Sequence, residues 1–256
     1  MRILLSNDDG ILAPGILTLA EVCHRAGHQV MVAAPDRQRS AAGHSMTILP
    51  TLRARRVDLP GTLGAFAVEG TPVDCVKLGL SVLFPETDLV ISGVNEGYNS
   101  GMDVLYSGTV AAALEGAMMG KPAIAISTGV EAEGGPPYLQ AAKLAVSAIR
   151  WLEQMPLPPM SMLNLNYPGT VCRGFRFARR LYPGSYVNNY TREGEPEGDL
   201  YTFHLDGYKP RPKKMPDTDD FLLSEGYATG TILSYDMTDH DRTIAMESKI
   251  AAVIPK

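Results

Sequence analysis

Asp8 and Asp9 stand side by side where an apolar run ends, in Ser6-Asn7-Asp8-Asp9-Gly10. Adjacent like charges repel, so the pair is either a plain Asp-Gly turn or the seat of something positive. Two other stretches offer similar atoms. One is Pro35-Asp36-Arg37-Gln38-Arg39-Ser40-Ala41-Ala42-Gly43-His44-Ser45, and the other is Gly93-Val94-Asn95-Glu96-Gly97-Tyr98-Asn99-Ser100-Gly101. Each alone reads equally well as a polar loop. Together they supply carboxylate, hydroxyl and amide oxygens, with no sulfur and no His pair. Such hard donors suit Mg²⁺, Mn²⁺ or Ca²⁺ rather than zinc. A divalent cation would also offset the repulsion between the two carboxylates.

A further stretch, Tyr106-Ser107-Gly108-Thr109, opens an Ala-rich helical pattern. It is either an ordinary Ser/Thr N-cap or an anion site, where free N–H groups and the helix dipole meet a phosphate. A cation beside an anion cradle is the arrangement that cleaves a phosphate ester. Competing templates fail. No GxGxxG follows a strand, and Gly116 to Lys121 is one residue short of a Walker A loop, with Pro122 in place of Ser/Thr. Gly97 to Gly101 places its Ser one position late for a nucleophile elbow. Gly93 to Gly101 lacks the closing Glu of an EF-hand loop.

The elements that must position these residues alternate between strand and helix. Strands are expected at Ile3 to Ser6, Gln29 to Ala33, Ala65 to Val68, Asp88 to Ser92 and Pro122 to Ser127. Between them, Pro14 to Ala26 reads as a helix with Ile16, Leu19, Ala20 and Cys23 on one face. Thr71-Pro72-Val73-Asp74 reads as a capping box opening a helix to about Phe84. Ser107 to Met119 and Tyr138 to Glu153 complete the helical set, the latter with Ala141, Ala145, Ile149 and Leu152 inward. Alternation of this kind predicts a mostly parallel sheet covered on both faces, with the three polar loops at its carboxyl edge. Residues 128–137 form a Gly/Pro-rich surface loop.

After about residue 155 the pattern changes. Leu163 to Pro168, Phe175 to Leu181 and Tyr201 to Tyr208 alternate as strands do, and hairpins protruding from the core are expected there. Residues 191–199 and 209–217 read as loops or an extended arm. A short helix over 218–227 and a strand from Thr231 to Tyr235 follow. Together these predict one domain over 1–256, with a core to about 180 and an arm and tail beyond it.

Composition bounds the function. The chain has 256 residues, 45% hydrophobic and 20% charged, with a net charge of −5, which suits an ordinary globular protein and gives no basic field for nucleic acid. Arg53 to Arg56 is a short surface or oligomer-contact run, or else a substrate-steering patch. Cys23, Cys75 and Cys172 are sparse and far apart, as in a reducing compartment. No signal peptide and no membrane span are expected, and the location predicted is cytoplasmic.

The five motifs Ser-Asn-Asp-Asp-Gly, Ala-Pro-Asp-Arg-Gln-Arg-Ser-Ala-Ala-Gly-His, Val-Glu-Gly-Thr-Pro-Val-Asp, Ile-Ser-Gly-Val-Asn-Glu-Gly and Tyr-Ser-Gly-Thr-Val are collinear over residues 1–130. They resemble the SurE family of survival-protein nucleotidases. The resemblance implies a three-layer Rossmann-like α/β core with a C-terminal β-hairpin oligomerisation arm. It implies a divalent-metal-dependent phosphomonoesterase acting on nucleoside 5′- and 3′-monophosphates, in some members also on short polyphosphate. By motif position, Asp8, Asp9, Ser40 and Asn95 would hold one Mg²⁺ or Mn²⁺ per subunit, a site Ca²⁺ can also occupy. Asp8 and Asp9 would orient the attacking water. Ser107, Gly108 and Thr109 would take the phosphate, with Gly43 and Asn99 at the rim. His44 is a solvated loop residue or a proton donor. The partner implied is a second copy, as a homodimer or homotetramer through the arm. This chain departs from the family at Thr231-Ile232-Leu233, where Thr-Pro-Leu is common. A non-catalytic metal- or nucleotide-binding protein is the main alternative. A receiver-like module also carries an acidic pair, but its Lys-Pro follows its last strand, whereas Lys121-Pro122 precedes one here.

Overall fold

The computed structural model describes residues 1–48, 51–130, 134–184 and 187–250. Residues 131–133 of the expected 128–137 loop, 185–186 of the arm and 251–256 of the tail lie outside the described residues. The central sheet has nine strands. In chain order they are β1 (Arg2–Ser6), β2 (Gln29–Pro35), β3 (Ala54–Val57), β4 (Gly64–Val68), β5 (Leu89–Glu96), β6 (Ala123–Thr128), β7 (Ser161–Tyr167), β8 (Phe175–Phe177) and, after two hairpin strands, β11 (Ala228–Ser234). Their order across the sheet is β3-β4-β2-β1-β5-β6-β7-β11-β8. The run from β4 to β7 is parallel throughout. The helices are α1 (Pro14–Arg25), α2 (Pro72–Leu78), α3 (Gly108–Met118), α4 (Tyr138–Gln154), α5 (Asp219–Ser224) and α6 (His240–Ile250).

Side chains alternate across the strands, so each apolar strand feeds two cores. Ile3, Leu5, Val30, Val32, Ile91, Ile126 and Leu165 pack against α1 and α4 on one face. Leu4, Met31, Ala33, Val90, Ala125 and Met162 pack against α2 and α3 on the other. These layers make the expected three-layer α/β core. The expected inward faces are buried: Ile16, Leu19, Ala20 and Cys23 on α1, and Ala141, Ala145 and Ile149 on α4. The capping box is present, with Asp74 N–H on the Thr71 hydroxyl at 3.1 Å and Thr71 N–H on the Asp74 carboxylate at 2.8 Å. Beyond α2 the chain widens into a π turn over Gly79–Leu83. Gly79 lies so close to Leu4 that an added Cβ would come within 2.7 Å of its side chain.

Several expectations need correction. β5 does not stop at Ser92. It runs on to Glu96 across an irregularity between Gly93 and Asn95, so Asn95 sits on a strand opposite Ser127 rather than in a free loop. Arg55 and Arg56 belong to edge strand β3, antiparallel to β4, where exposed charge also discourages edge pairing. β7 is no protruding hairpin. It pairs parallel with β6 and antiparallel with β11, and β8 pairs with β11. Residues 228–234 thus return to the central sheet from beyond position 180. Residues 191–197, expected as a loop or an extended arm, are the arm: they are part of β9 (Val187–Glu197), which pairs with β10 (Leu200–Tyr208) in a separate two-stranded sheet. Helix α6 was not expected. Among the described residues no helix is long and apolar enough to cross a membrane.

Candidate active site at the carboxyl edge

Strands β1, β2 and β5 lie side by side and parallel, so the segments following them emerge at one edge. The turn after β1 is built by Asn7, a fully buried residue whose amide donates to Gly10 O at 2.9 Å and accepts from Gly10 N–H at 3.2 Å. Gly10 has φ +102, and an added Cβ would press on the Arg37 backbone at 3.2 Å. The turn is tied to the segment after β2 by Arg39 N–H on Asp8 O at 2.6 Å and Ile11 N–H on Pro35 O at 2.9 Å. Asn7 was not singled out in the sequence, although an Asn three residues before Gly is itself a turn signal.

Asp8 is 5% exposed and lies against the start of α3. Thr109 donates its hydroxyl to Asp8 Oδ1 at 2.5 Å. Burial raises the Asp8 pKa, and the Thr109 hydroxyl with backbone N–H groups of Asp8, Thr109 and Gly108 pulls it back down. A Cβ on Gly108 would sit 2.9 Å from Asp8 Cβ and 3.0 Å from Pro72 Cγ, so only glycine admits this approach. Asp9 is more open. Burial first, then the charge of Asp8, push its pKa up to about 6, and the Glu96 carboxylate adds to this while the Glu96 backbone opposes it. Among the described residues no Lys, Arg or His forms an ion pair with Asp8 or Asp9.

The remaining candidates divide into groups. Asn95 turns its amide N–H onto Gly97 O at 2.8 Å, which leaves Oδ1 as an acceptor. Ser40, exposed, accepts from Gln38 at 2.9 Å and lies next to Arg39, whose backbone is on Asp8. Gly43 N–H binds Tyr106 O at 3.0 Å, bringing the same segment against the start of α3. Ser107 accepts from Val110 N–H at 3.1 Å as a normal N-cap. Asn99 instead faces inward. Its amide donates to Ser127 at 2.8 Å, its N–H to Asn166 at 2.9 Å, and its carbonyl accepts from Asn164 and Asn166 at 2.8 and 3.0 Å. It holds the segment after β5 onto β6 and β7, and the alternate Asn of Leu-Asn-Leu-Asn was the unread signal for this network. His44 is exposed in a turn, and it is also tethered: its Nε2 is 2.9 Å from Glu115 Oε2, and Lys77 is 2.7 Å from Glu115 Oε1. This cluster pins the Ser40 segment to α2 and α3.

Among the described residues no three His, Cys, Asp or Glu converge as a metal cluster. A cation here would need neutral oxygens from Asn95 and Ser40 beside the carboxylates. Those donors are present, and the uncompensated Asp8–Asp9 charge favours a cation, so the residues fit a hard divalent ion.

Two outcomes test this geometry. Gly108→Ala should destabilise the fold by about 1–3 kcal/mol in urea unfolding, because the new methyl must displace Asp8 or Pro72; wild-type stability would overturn the packing described. The Glu115 carboxyl is held below its ordinary range, first by the His44 hydrogen bond and next by Lys77 despite burial. A lowered folded pKa means stability that is present above the ordinary glutamate value of about 4.3 and lost as pH falls through the folded one. Glu115→Gln should therefore cost roughly 1–2 kcal/mol at neutral pH, a difference that shrinks as pH falls from about 5 to 3. A pH-independent difference would contradict the charge-assisted cluster.

Comparison with known proteins agrees with this architecture. The family described as Survival protein SurE matches residues 3–183. A 5′-nucleotidase SurE of Gloeobacter violaceus is 46% identical over 244 residues, covering 93% of this chain and 91% of that protein. A 5′-nucleotidase SurE 1 of Thermus thermophilus is 38% identical over 257 residues, covering 100% of both chains. The crystal structure of the SurE protein from Aquifex aeolicus superposes with a TM-score of 0.82 at 31% identity, over 97% of this chain and 99% of that one. With the family match spanning most of the chain and relatives similar along nearly its whole length, this chain belongs to the SurE family.

Proposed function

We propose that this chain is a metal-dependent 5′-nucleotidase that hydrolyses nucleoside monophosphates to nucleoside and phosphate. The carrying observation is the Asp8–Asp9 pair, set without a cationic partner side chain against the positive end of α3. The names of relatives alike over nearly the whole chain support the same reading. Action on 3′-monophosphates and on short polyphosphate belongs to this proposal as well.

Asp8, Asp9, Asn95 Oδ1 and the Ser40 hydroxyl are the residues that would hold the cation, and we favour Mg²⁺ or Mn²⁺ for an all-oxygen set. When bound, the cation polarises the phosphoryl oxygens and lowers the pKa of water. The chain supplies the rest. Asp8 is fixed by Thr109 and the N–H groups of α3, so its carboxylate orients without swinging. Asp9, less buried than Asp8, would help orient the attacking water. Water is the nucleophile in this reading, because carboxylates committed to a cation are poor ones. The start of α3 and Gly43 face the phosphate.

The arm supports an assembly reading. Tyr190 stands opposite Leu205, with Phe203 two residues along the same face, and these are 72, 59 and 55% exposed. A lone two-stranded hairpin with an open apolar face is unstable in water, and a second copy of this chain would cover it. We read the protein as a dimer, alone or paired into a tetramer. We read the setting as cytoplasmic, a reading that the free thiols of Cys23, Cys75 and Cys172 support.

Turnover tests the first reading. With 5′-AMP and Mn²⁺ or Mg²⁺, phosphate release should be abolished by EDTA and fall by roughly 100-fold or more in Asp9→Asn. Nucleotide binding without release under every metal would leave only a binding protein and overturn the enzyme. Sedimentation tests the second: wild type should run as a multiple of the 27.6 kDa chain, and Phe203→Lys with Leu205→Lys should shift it towards monomer. A monomeric wild type would sink that reading.

A further inference from the structure

The turn leading into α3, Gly101–Leu105, is a single stretch of 3-10 helix between the Asn99 network and the N-cap Ser107. Its grip comes from residues far along the chain. Asp219, with no exposed surface, accepts from Gly101 N–H at 2.8 Å and from Tyr182 N–H at 2.8 Å. Met102 N–H donates to Gly184 O at 3.2 Å. Gly101 has φ +60, and an added Cβ would lie 2.8 to 2.9 Å from Gly184 O, Asp220 Oδ2 and Tyr182 O. Asp220, 6% exposed, accepts from the Ser100 hydroxyl at 2.5 Å. Lys209 Nζ then reaches Asp103 Oδ2 at 2.7 Å, Asp220 Oδ1 at 3.0 Å, and the Ser100 carbonyl and hydroxyl at 3.3 and 3.2 Å.

These partners have a common origin. Tyr182 and Gly184 precede the arm, Lys209 directly follows strand β10, and Asp219 and Asp220 open α5. Both roots of the arm therefore grip the same turn, three residues from the start of the phosphate-facing helix. A half-exposed ion pair would contribute little. This one is different: the Lys209 and Asp220 side chains are 22 and 6% exposed, and one ammonium bridges two carboxylates while bonding to a carbonyl. Removing the ammonium takes from the buried Asp220 carboxylate the cation that pairs with it among the described residues, so the turn would have to move.

We propose that Lys209, acting through Asp103, Asp220 and Ser100, is a positioning residue that couples the arm to the turn presenting Ser107, Gly108 and Thr109. It touches no reacting atom. The role rests on the nucleotidase reading for its kinetic consequence but not for its structural one. Seating of the arm against a second chain would, through Lys209, bear on how well the phosphate is held.

Hydrogen exchange and kinetics test this separately. In Lys209→Met, amides 99–109 should exchange about tenfold faster or more, while those of β1 and α1 stay at wild-type protection. With wild type as reference, KM for 5′-AMP should rise about tenfold, more than kcat falls. Lys209→Arg, which keeps the charge, should restore most of both. If Lys209→Met fails to fold, Ser100→Ala removes one link of the same clamp and should show the same pattern at smaller amplitude. Wild-type protection of 99–109, or equal loosening throughout the chain, would overturn the clamp. Loosening of 99–109 with KM unmoved in an active enzyme would overturn the coupling. A wild type without turnover would instead fail the nucleotidase reading and leave the exchange result to judge the clamp.

Discussion

A buried carboxylate wedged between a strand end and a helix start governs the site. Asp8 cannot lie at 5% exposure unless its lone pairs are met. The Thr109 hydroxyl and the N–H groups of α3 meet them, and Gly108 clears the space. This fixes the distance between the two faces of the design: the acidic turn after β1 on one side, the positive end of α3 on the other. Asp9 then has nowhere to place its charge but the shared edge. The start of α3, expected from the sequence as a plain N-cap or a phosphate site, thus orders Asp8.

Polar packing extends this order outward. Asn7 shapes the acidic turn, Asn164 and Asn166 fasten the segment after β5, and Glu115 fastens the segment after β2. Asn7, Asn164, Asn166 and Glu115 are buried, where a hydrogen bond is costly to lose, while His44 on Glu115 is exposed. The site therefore rests on rigid strand ends and short tethered turns rather than on free loops, which suits a reaction that depends on where oxygens are held.

Much of this was legible in the chain because it is local. Strands β1, β2 and β6 are continuous apolar runs, α1 and α4 carry clean stripes, and Thr71-Pro72-Val73-Asp74 announces its cap within four residues. The acidic pair and the three polar segments declared themselves by type and place. What escaped is either solvent-facing on both sides or long-range. Edge strand β3 and arm strand β9 are polar because nothing in the chain covers them, so alternation carries no signal. The bonds from His44 to Glu115 and from Lys209 to Asp103 span 71 and 106 positions, beyond any periodicity. Asn95 was found by type, but its strand placement depends on an irregularity against β6 that only pairing reveals.

Strand β11 has a consequence for the order in which the molecule can be made. It lies between β7 and β8 in the sheet, yet it is separated from both by the arm and α5. On a ribosome, the parallel strands and the acidic turn can assemble while the tail is still being synthesised. Through that interval β7 offers an unpaired backbone edge, with Leu163 and Leu165 on one face and Met162 on the other. The nascent chain is thus most open to mispairing after its parallel strands have formed, and β11, translated after the arm and α5, closes the vulnerable side.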